Sequence, residues 1–260
     1  MSLILAESGS LNGTESEPWR AKLISGEIKW IVFDAVGTTI TPSPRVPDVY
    51  CEIGRRFGSS RTVSEIEERF TRVFRQTERN DLEGTSDAAL ITSEAIERKR
   101  WERIVAEVID DATDPAGCFA ALFDHFAHPA AWRSYPDVPA AMAELSRRGI
   151  QLALASNFDH RLHPVCTGLE GVDRIPIRVI SSEVGFRKPS RRFFDALLQC
   201  CGCKPGQMLM VGDDYDNDCR GALDAGITPV WIDRKGKAPP RLLRPIRTLE
   251  ELVAAVPSRS

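Results

Sequence analysis

A run from Ile28 to Phe33, apolar except for Lys29, has the length of a strand and stops at Asp34 and a Gly37-Thr38-Thr39 turn. Pro42, Pro44 and Pro47 then lead the chain away from that strand. Beyond these prolines the period changes. Ile66, Phe70, Val73, Phe74 and Thr77 recur at helical spacing, with Thr62 and Glu65 ahead of them in the arrangement of a capping box. Trp101, Ile104, Val105, Val108, Ile109 and Ala112 form a second stripe, and a third helix is predicted from Pro115 to about Phe126. The block 44–132 carries no strand pattern and reads as a small helical bundle.

After Trp132 helices and short β-rich runs alternate. A helix from Val138 to Arg148 should stop at Gly149, and strands are predicted over Gln151–Ala155, Arg178–Ser181, Gln207–Val211 and Thr228–Ile232. Helices fit between them at about 161–168, 191–201 and 217–225. Such alternation predicts a parallel sheet with right-handed crossovers and helices on both faces. The strand at 28–33 should join that sheet, so the helical block is an insertion behind it.

Composition narrows the class without naming an activity. With 260 residues, 42% hydrophobic and 27% charged, the chain can bury a substantial core. A net charge of −3 gives no bulk attraction to nucleic acid or to an anionic membrane, and 44–132 holds 17 acidic against 12 basic residues. Seven cysteines at irregular spacing read as reduced thiols, and Leu3-Ile4-Leu5-Ala6 is too short for a signal or a membrane span. Residues 1–26 read as a polar extension, and the expected location is cytoplasmic.

Ligands of open α/β sheets bind beyond the carboxyl ends of the strands. Those ends carry Asp34, Ser156-Asn157, Ser181-Ser182 and Gly212-Asp213-Asp214, with Lys188 following the strand at 178–181. This set suits phosphoryl transfer to a carboxylate. Asp34 would attack phosphorus, and Lys188 with a divalent cation would offset the gathered negative charge. Ser156 at a helix start would meet phosphate oxygens. Asp213, Asp214 and Asp218 make an acidic pocket that is costly unless it holds a cation, although such residues also cap helices.

Four segments in this order resemble the haloacid dehalogenase-like hydrolases: Phe33-Asp34-Ala35-Val36-Gly37-Thr38, Ala155-Ser156-Asn157, Arg187-Lys188-Pro189, and Val211 to Asp218 with its Gly-Asp-Asp start. The resemblance spans 28 to about 233. It implies a Rossmann-like parallel α/β core (27–43 and 133–260) with an inserted α-helical cap (44–132), and a Mg²⁺ site using the Asp34 carboxylate, the Val36 carbonyl and the Asp213 carboxylate. Asp34 and Lys188 would be catalytic, Thr38, Ser156 and Asn157 would bind phosphate, and Asp214 and Asp218 would support them. The substrate would be a small phosphorylated metabolite.

One departure changes the picture. The family's phosphatases carry a second Asp two residues after the nucleophile, where this chain has Val36. A valine carbonyl can still face a metal, but its side chain moves no proton, a loss of about 10²–10⁴-fold in ordinary ester hydrolysis. Three readings therefore stand: a weakened phosphatase, a C–halogen or C–P hydrolase on the same scaffold, and a phosphate- and metal-binding regulatory protein. His160 is a candidate stand-in proton donor. Lys99, within Arg98-Lys99-Arg100, and Arg69, Arg72 and Arg79 read as solvated helix faces. Cys200, Cys201 and Cys203 lack the partner pair of a metal knuckle.

Overall fold

The computed structural model describes residues 17–83, 87–236 and 243–257. Helix α1 (Pro18–Ile24) precedes strand β1 (Trp30–Phe33), and the short β2 (Ile40–Pro42) comes after the turn at Asp34. Four helices come next: α2 (Val46–Arg56), α3 (Val63–Glu83), α4 (Glu94–Val108) and α5 (Pro115–His125). The chain returns through β3 (Trp132–Ser134), α6 (Val138–Arg147), β4 (Gln151–Ser156), α7 (Leu162–Thr167), β5 (Ile177–Ile180) and α8 (Ser181–Val184). It ends with α9 (Arg191–Cys201), β6 (Met208–Gly212), α10 (Gly221–Asp224), β7 (Thr228–Trp231) and α11 (Leu249–Ala255).

Five strands form one parallel sheet in the order β5-β4-β1-β6-β7. Strand β1 is central because it is buried on both faces and on both edges. Its even and odd residues serve different layers. Ile31 and Phe33 join Leu154, Val211, Met142, Leu145 and Leu252 on one face, whereas Trp30 and Val32 join Ala153, Met210, Phe193, Phe194 and Leu197 on the other. Each fully buried apolar side chain of this size contributes roughly 1.5–3 kcal/mol relative to exposure.

The register puts the chemistry at one level. Phe33 pairs with Leu154 on one side and Val211 on the other, so Asp34, Ala155 and Gly212 come next, side by side. The Asp34 N–H donates to the Val211 carbonyl at 2.8 Å, which carries the ladder one residue past the strand and fixes the Asp34 backbone.

The helical cap has its own core, in which Tyr50, Ile53, Ile66, Val73, Ile104, Val108 and Leu122 meet. Helix starts are set locally. Thr62 and Glu65 form the expected reciprocal cap, Ser93 accepts from the Ile96 N–H, and Asp114 accepts from the Gly117 N–H.

Three features differ from the sequence reading. Of the residues expected to form a polar extension, 17–26 fall within the described part, and there α1 buries Trp19 and Leu23 against the sheet layer; residues 1–16 lie outside the described residues. The antiparallel pair β2–β3, with Thr41 opposite Arg133, joins the two chain crossings into the cap. Three-residue strands containing a proline leave no period to detect. A helix is predicted over 217–225, but Tyr215–Arg220 forms a wide π-helical turn before α10 begins.

Candidate active site

Lys188 is the hub of the cleft. Its Nζ donates to Asp34 Oδ1 at 2.7 Å, to Asp218 Oδ1 at 2.6 Å and to the Ala155 carbonyl at 2.8 Å, with the lysine 2% exposed. Its backbone is fixed as firmly. The Lys188 N–H donates to Asn157 Oδ1 at 2.7 Å, and Asn157 Nδ2 donates back to the Lys188 carbonyl at 3.0 Å. Burial disfavours the ammonium, but Asp218 and Asp34 outweigh it and raise the Lys188 pKa.

Asp34, Asp213 and Asp218 each bring a carboxylate oxygen within 4.8 Å of the others. Burial pushes the Asp34 and Asp218 carboxyls up, with the Lys188 ammonium opposing it. Asp213 reaches solvent at the cleft mouth. Desolvation by the cleft walls and the nearby Asp34 and Asp214 carboxylates nevertheless push it up to about 7. Backbone approach matters here: Gly37 has φ 94°, and a Cβ on it would lie 2.2 Å from Asp213 Oδ2. With Asp214 beside them, four carboxylates face one ammonium. A divalent cation fits that excess of negative charge, and the oxygen-only donor set suits a hard ion.

The π-helical turn explains the order of the last motif. Asp214 accepts from the Asp216 and Asn217 N–H groups at 3.0 and 2.9 Å and so caps the turn. The wide turn then returns Asp218 to the cleft, where its Oδ2 accepts from the Asp214 N–H at 3.1 Å. π-Turns of this kind recur where a helix must redirect a functional side chain.

Among the residues expected to bind phosphate, only Ser156 faces the cavity without another engagement. Thr38 is fully buried and donates to Asp213 Oδ1 at 3.3 Å, which makes it a support for that carboxylate. Asn157 is committed to Lys188. Val36 is 37% exposed and lines the cavity beside Asp34. His160 pairs with Glu94 and does not line the cavity, and Lys99 is exposed outside it.

Arg100 departs from the solvated-face reading. Its side chain is 10% exposed and pairs with Glu78 at 2.5 Å and Asp81 at 2.6 Å. Arg187, next to the hub lysine, pairs with Glu97 at 2.5 Å and reaches Glu78 at 3.3 Å, tying core to cap. A backbone bond from the Arg187 N–H to the Leu90 carbonyl at 2.8 Å runs alongside. Within the sequence, nothing but the cap's excess of acidic residues hints at these partners.

A parallel sheet with an aspartate at the end of its middle strand, a buried lysine beside it and a helical cap above defines a class of hydrolase. A family model for haloacid dehalogenase-like hydrolases matches residues 28–226, and the chain belongs to that family. It is 26% identical to haloacid dehalogenase-like hydrolase domain-containing protein 3 of Homo sapiens over 77% of this chain and 80% of that protein. It is 35% identical to a phosphoserine phosphatase of Thermus thermophilus over 51% of this chain, a match spanning only 54% of that enzyme. The crystal structure of a HAD phosphatase from Thermococcus onnurineus superposes with a TM-score of 0.62 at 24% identity, covering 89% of this chain and 99% of that one. The defluorinating L-2-haloacid dehalogenase Rha0230 superposes with a TM-score of 0.69 at 14% identity, covering 88% and 95%. These likenesses to solved structures concern the fold. Among the described residues no helix is long and apolar enough to cross a membrane.

Proposed function

We propose that this protein is a Mg²⁺-dependent phosphohydrolase that transfers the phosphoryl group of a small metabolite to Asp34 and then to water. The observation that carries this reading is the Lys188 ammonium held between Asp34 and Asp218 with Asp213 converging on the same point. Asp34 supplies the attacking oxygen. Lys188 keeps that carboxylate aimed and ionised, and Asp218 in turn fixes the lysine. Ser156 offers its hydroxyl to a phosphate oxygen. The Asp34 and Asp213 carboxylates and the Val36 carbonyl are the groups to hold Mg²⁺, which when bound supplies positive charge against the phosphate oxygens. The cap excludes water from the cleft while its closed pairing with Arg187 holds.

A 2-haloacid dehalogenase is the second reading, favoured by Val36 and by the apolar cap wall that faces it, since a departing halide needs no proton. The four carboxylates argue against it, because the substrate's own carboxylate would meet their repulsion. A serine phosphate, which the Thermus relative's name points to, would bring a charged amine and carboxylate into the same apolar space.

The test compares wild type with Asp34→Asn on acetyl phosphate, with Mg²⁺ and with chelator. Expected are metal-dependent turnover and a mass increase of one phosphoryl group on Asp34, both absent in Asp34→Asn. Metal-independent halide release from a 2-haloacid, with no phosphorylation of Asp34, would replace this reading by the second.

A further inference from the structure

The charged cleft opens upward into the rest of one cavity of about 460 Å³, whose upper walls are of another kind. Tyr50, Phe70, Phe74, Trp101, Phe123 and Phe126 line it from the cap, and Trp132 and Phe158 close it from the core side. The size lies within the range of pockets that enclose a small organic ligand, roughly 300–1,000 Å³. Phe70 and Phe74 stack at 5.6 Å, and Phe74 and Trp101 at 6.2 Å, so the three rings form one continuous apolar group.

The charged groups on this wall are spoken for. Arg161 is 5% exposed; it donates to both oxygens of Asp159 and to the Phe123 carbonyl, and lies 3.5 Å over the Phe123 ring. Arg100 and Arg187 face Glu78, Asp81 and Glu97. Among the described lining residues the remaining cation outside the cleft, Lys235, is exposed at the mouth. A second charge on the substrate would therefore find its counter-charge only at the mouth, at the exposed Lys235, and none among the rings.

The floor adds a separate constraint. Val36 lines the cavity beside Asp34, at the position where the family's phosphatases carry a second Asp, and His160 is turned to Glu94. A leaving group that departs readily as an anion suits this floor.

We infer that the substrate, if the phosphohydrolase reading holds, is a monophosphate carried on a weakly basic oxygen, phenolic or carboxylic, of an uncharged aromatic group that packs in the cap cavity. In the first step an Asp34 oxygen bonds to phosphorus while the bond from phosphorus to the leaving oxygen breaks. The electron pair stays on that oxygen, which leaves as aryloxide or carboxylate without a proton. In the second, a water oxygen bonds to phosphorus and the bond to Asp34 breaks, its pair returning to the carboxylate. Both water protons leave with the phosphate as H₂PO₄⁻. No basic side chain takes a proton from that water, so the second step is the slower and the phosphorylated enzyme accumulates.

The experiment compares 1-naphthyl phosphate, benzoyl phosphate, O-phosphoserine and glycerol phosphate on the full chain with Mg²⁺, with acetyl phosphate as a reference for the phosphohydrolase reading. The two aromatic substrates should exceed the two alkyl phosphates in kcat/KM by at least about 10²-fold, the lower bound for a missing general acid. A burst of naphthol equal to the enzyme concentration should precede the steady state. Across phenyl phosphates of equal size, kcat/KM should fall steeply with increasing leaving-group basicity in wild type and more gently in Val36→Asp. Trp101→Ala should raise KM for 1-naphthyl phosphate about tenfold, with Trp101→Leu as the variant that keeps the wall filled if alanine unfolds the cap. Acetyl phosphate turnover with no preference for the aromatic substrates overturns this inference and leaves the phosphohydrolase reading standing. Failure to phosphorylate Asp34 from any of these donors overturns both.

Discussion

The two walls of the cavity obey opposite rules. The core side packs four carboxylates around one ammonium, and charge is left over. The cap side buries aromatic rings and leaves almost no charge unpaired. Burial raises the pKa values of Asp34, Asp213 and Asp218 on the first wall and stabilises the second, because desolvation penalises ions and rewards rings. The floor is thus built for one reaction type, and the roof for the shape and polarity of what enters. A residue changed on one wall should alter rate, and on the other should alter choice.

The largest effect is expected at the nucleophile. Asp34→Asn should lower turnover by at least about 10⁴-fold while thermal unfolding stays within a few degrees of wild type, measured by acetyl phosphate hydrolysis and circular dichroism. Lys188→Met should come second. It leaves Asp34 and Asp218 buried without their cation, so urea denaturation should show a loss of about 3–5 kcal/mol together with lost phosphorylation of Asp34. If Lys188→Met were as stable as wild type, the hub would not be the electrostatic keystone of the floor.

Val36→Asp sharpens the contrast by restoring a proton donor without touching the roof. Alkyl phosphate turnover should rise by about 10- to 10³-fold, with little change in KM for aromatic substrates. Arg187→Lys, at the seam between the walls, should be milder. Loss of the guanidinium's second contact should cost about 1–2 kcal/mol and raise KM more than it lowers kcat, as read by steady-state kinetics.

A smaller effect is expected from Asp213. Its carboxyl, pushed up to about 7, binds a proton in the folded chain that the unfolded chain releases near pH 4. Between those values the folded state holds more protons, so stability should fall as pH rises through this window. In chelator the melting temperature should decline from pH 5 to pH 8, and Mg²⁺ should restore it most at pH 8.

Much of the floor was legible because its residues sit just past strand ends, and strand ends are marked by runs such as Ile31-Val32-Phe33 breaking at a polar residue. Lys188 was legible from its motif and its charge as a match for Asp34, but its bonds to the Ala155 carbonyl and to Asp218 were not: these come from β4 and the turn after β6, which meet only through the sheet register. Thr38 and Asn157 show the same limit. Their types suit phosphate, yet a fully buried Thr38 serves Asp213 and Asn157 clamps the Lys188 backbone. Arg100 reads as solvated within Arg98-Lys99-Arg100, because helical phase alone does not reveal that Glu78 and Asp81 lie across from it on α3.

By itself, the sequence determined the parallel α/β order, the helical insertion behind the first strand, the family and the valine two residues after Asp34, since all of these rest on local period and on residue identity. Only the tertiary structure decided which carboxylates share Lys188, that Trp19 and Leu23 belong to the core, and that rings from four cap helices face one another over the cleft. Those facts depend on contacts between segments far apart in the chain. Apolar residues on separate helices read alike whether they pack a closed core or line a cavity, and only the packing of α2, α3, α4 and α5 leaves the space between them open.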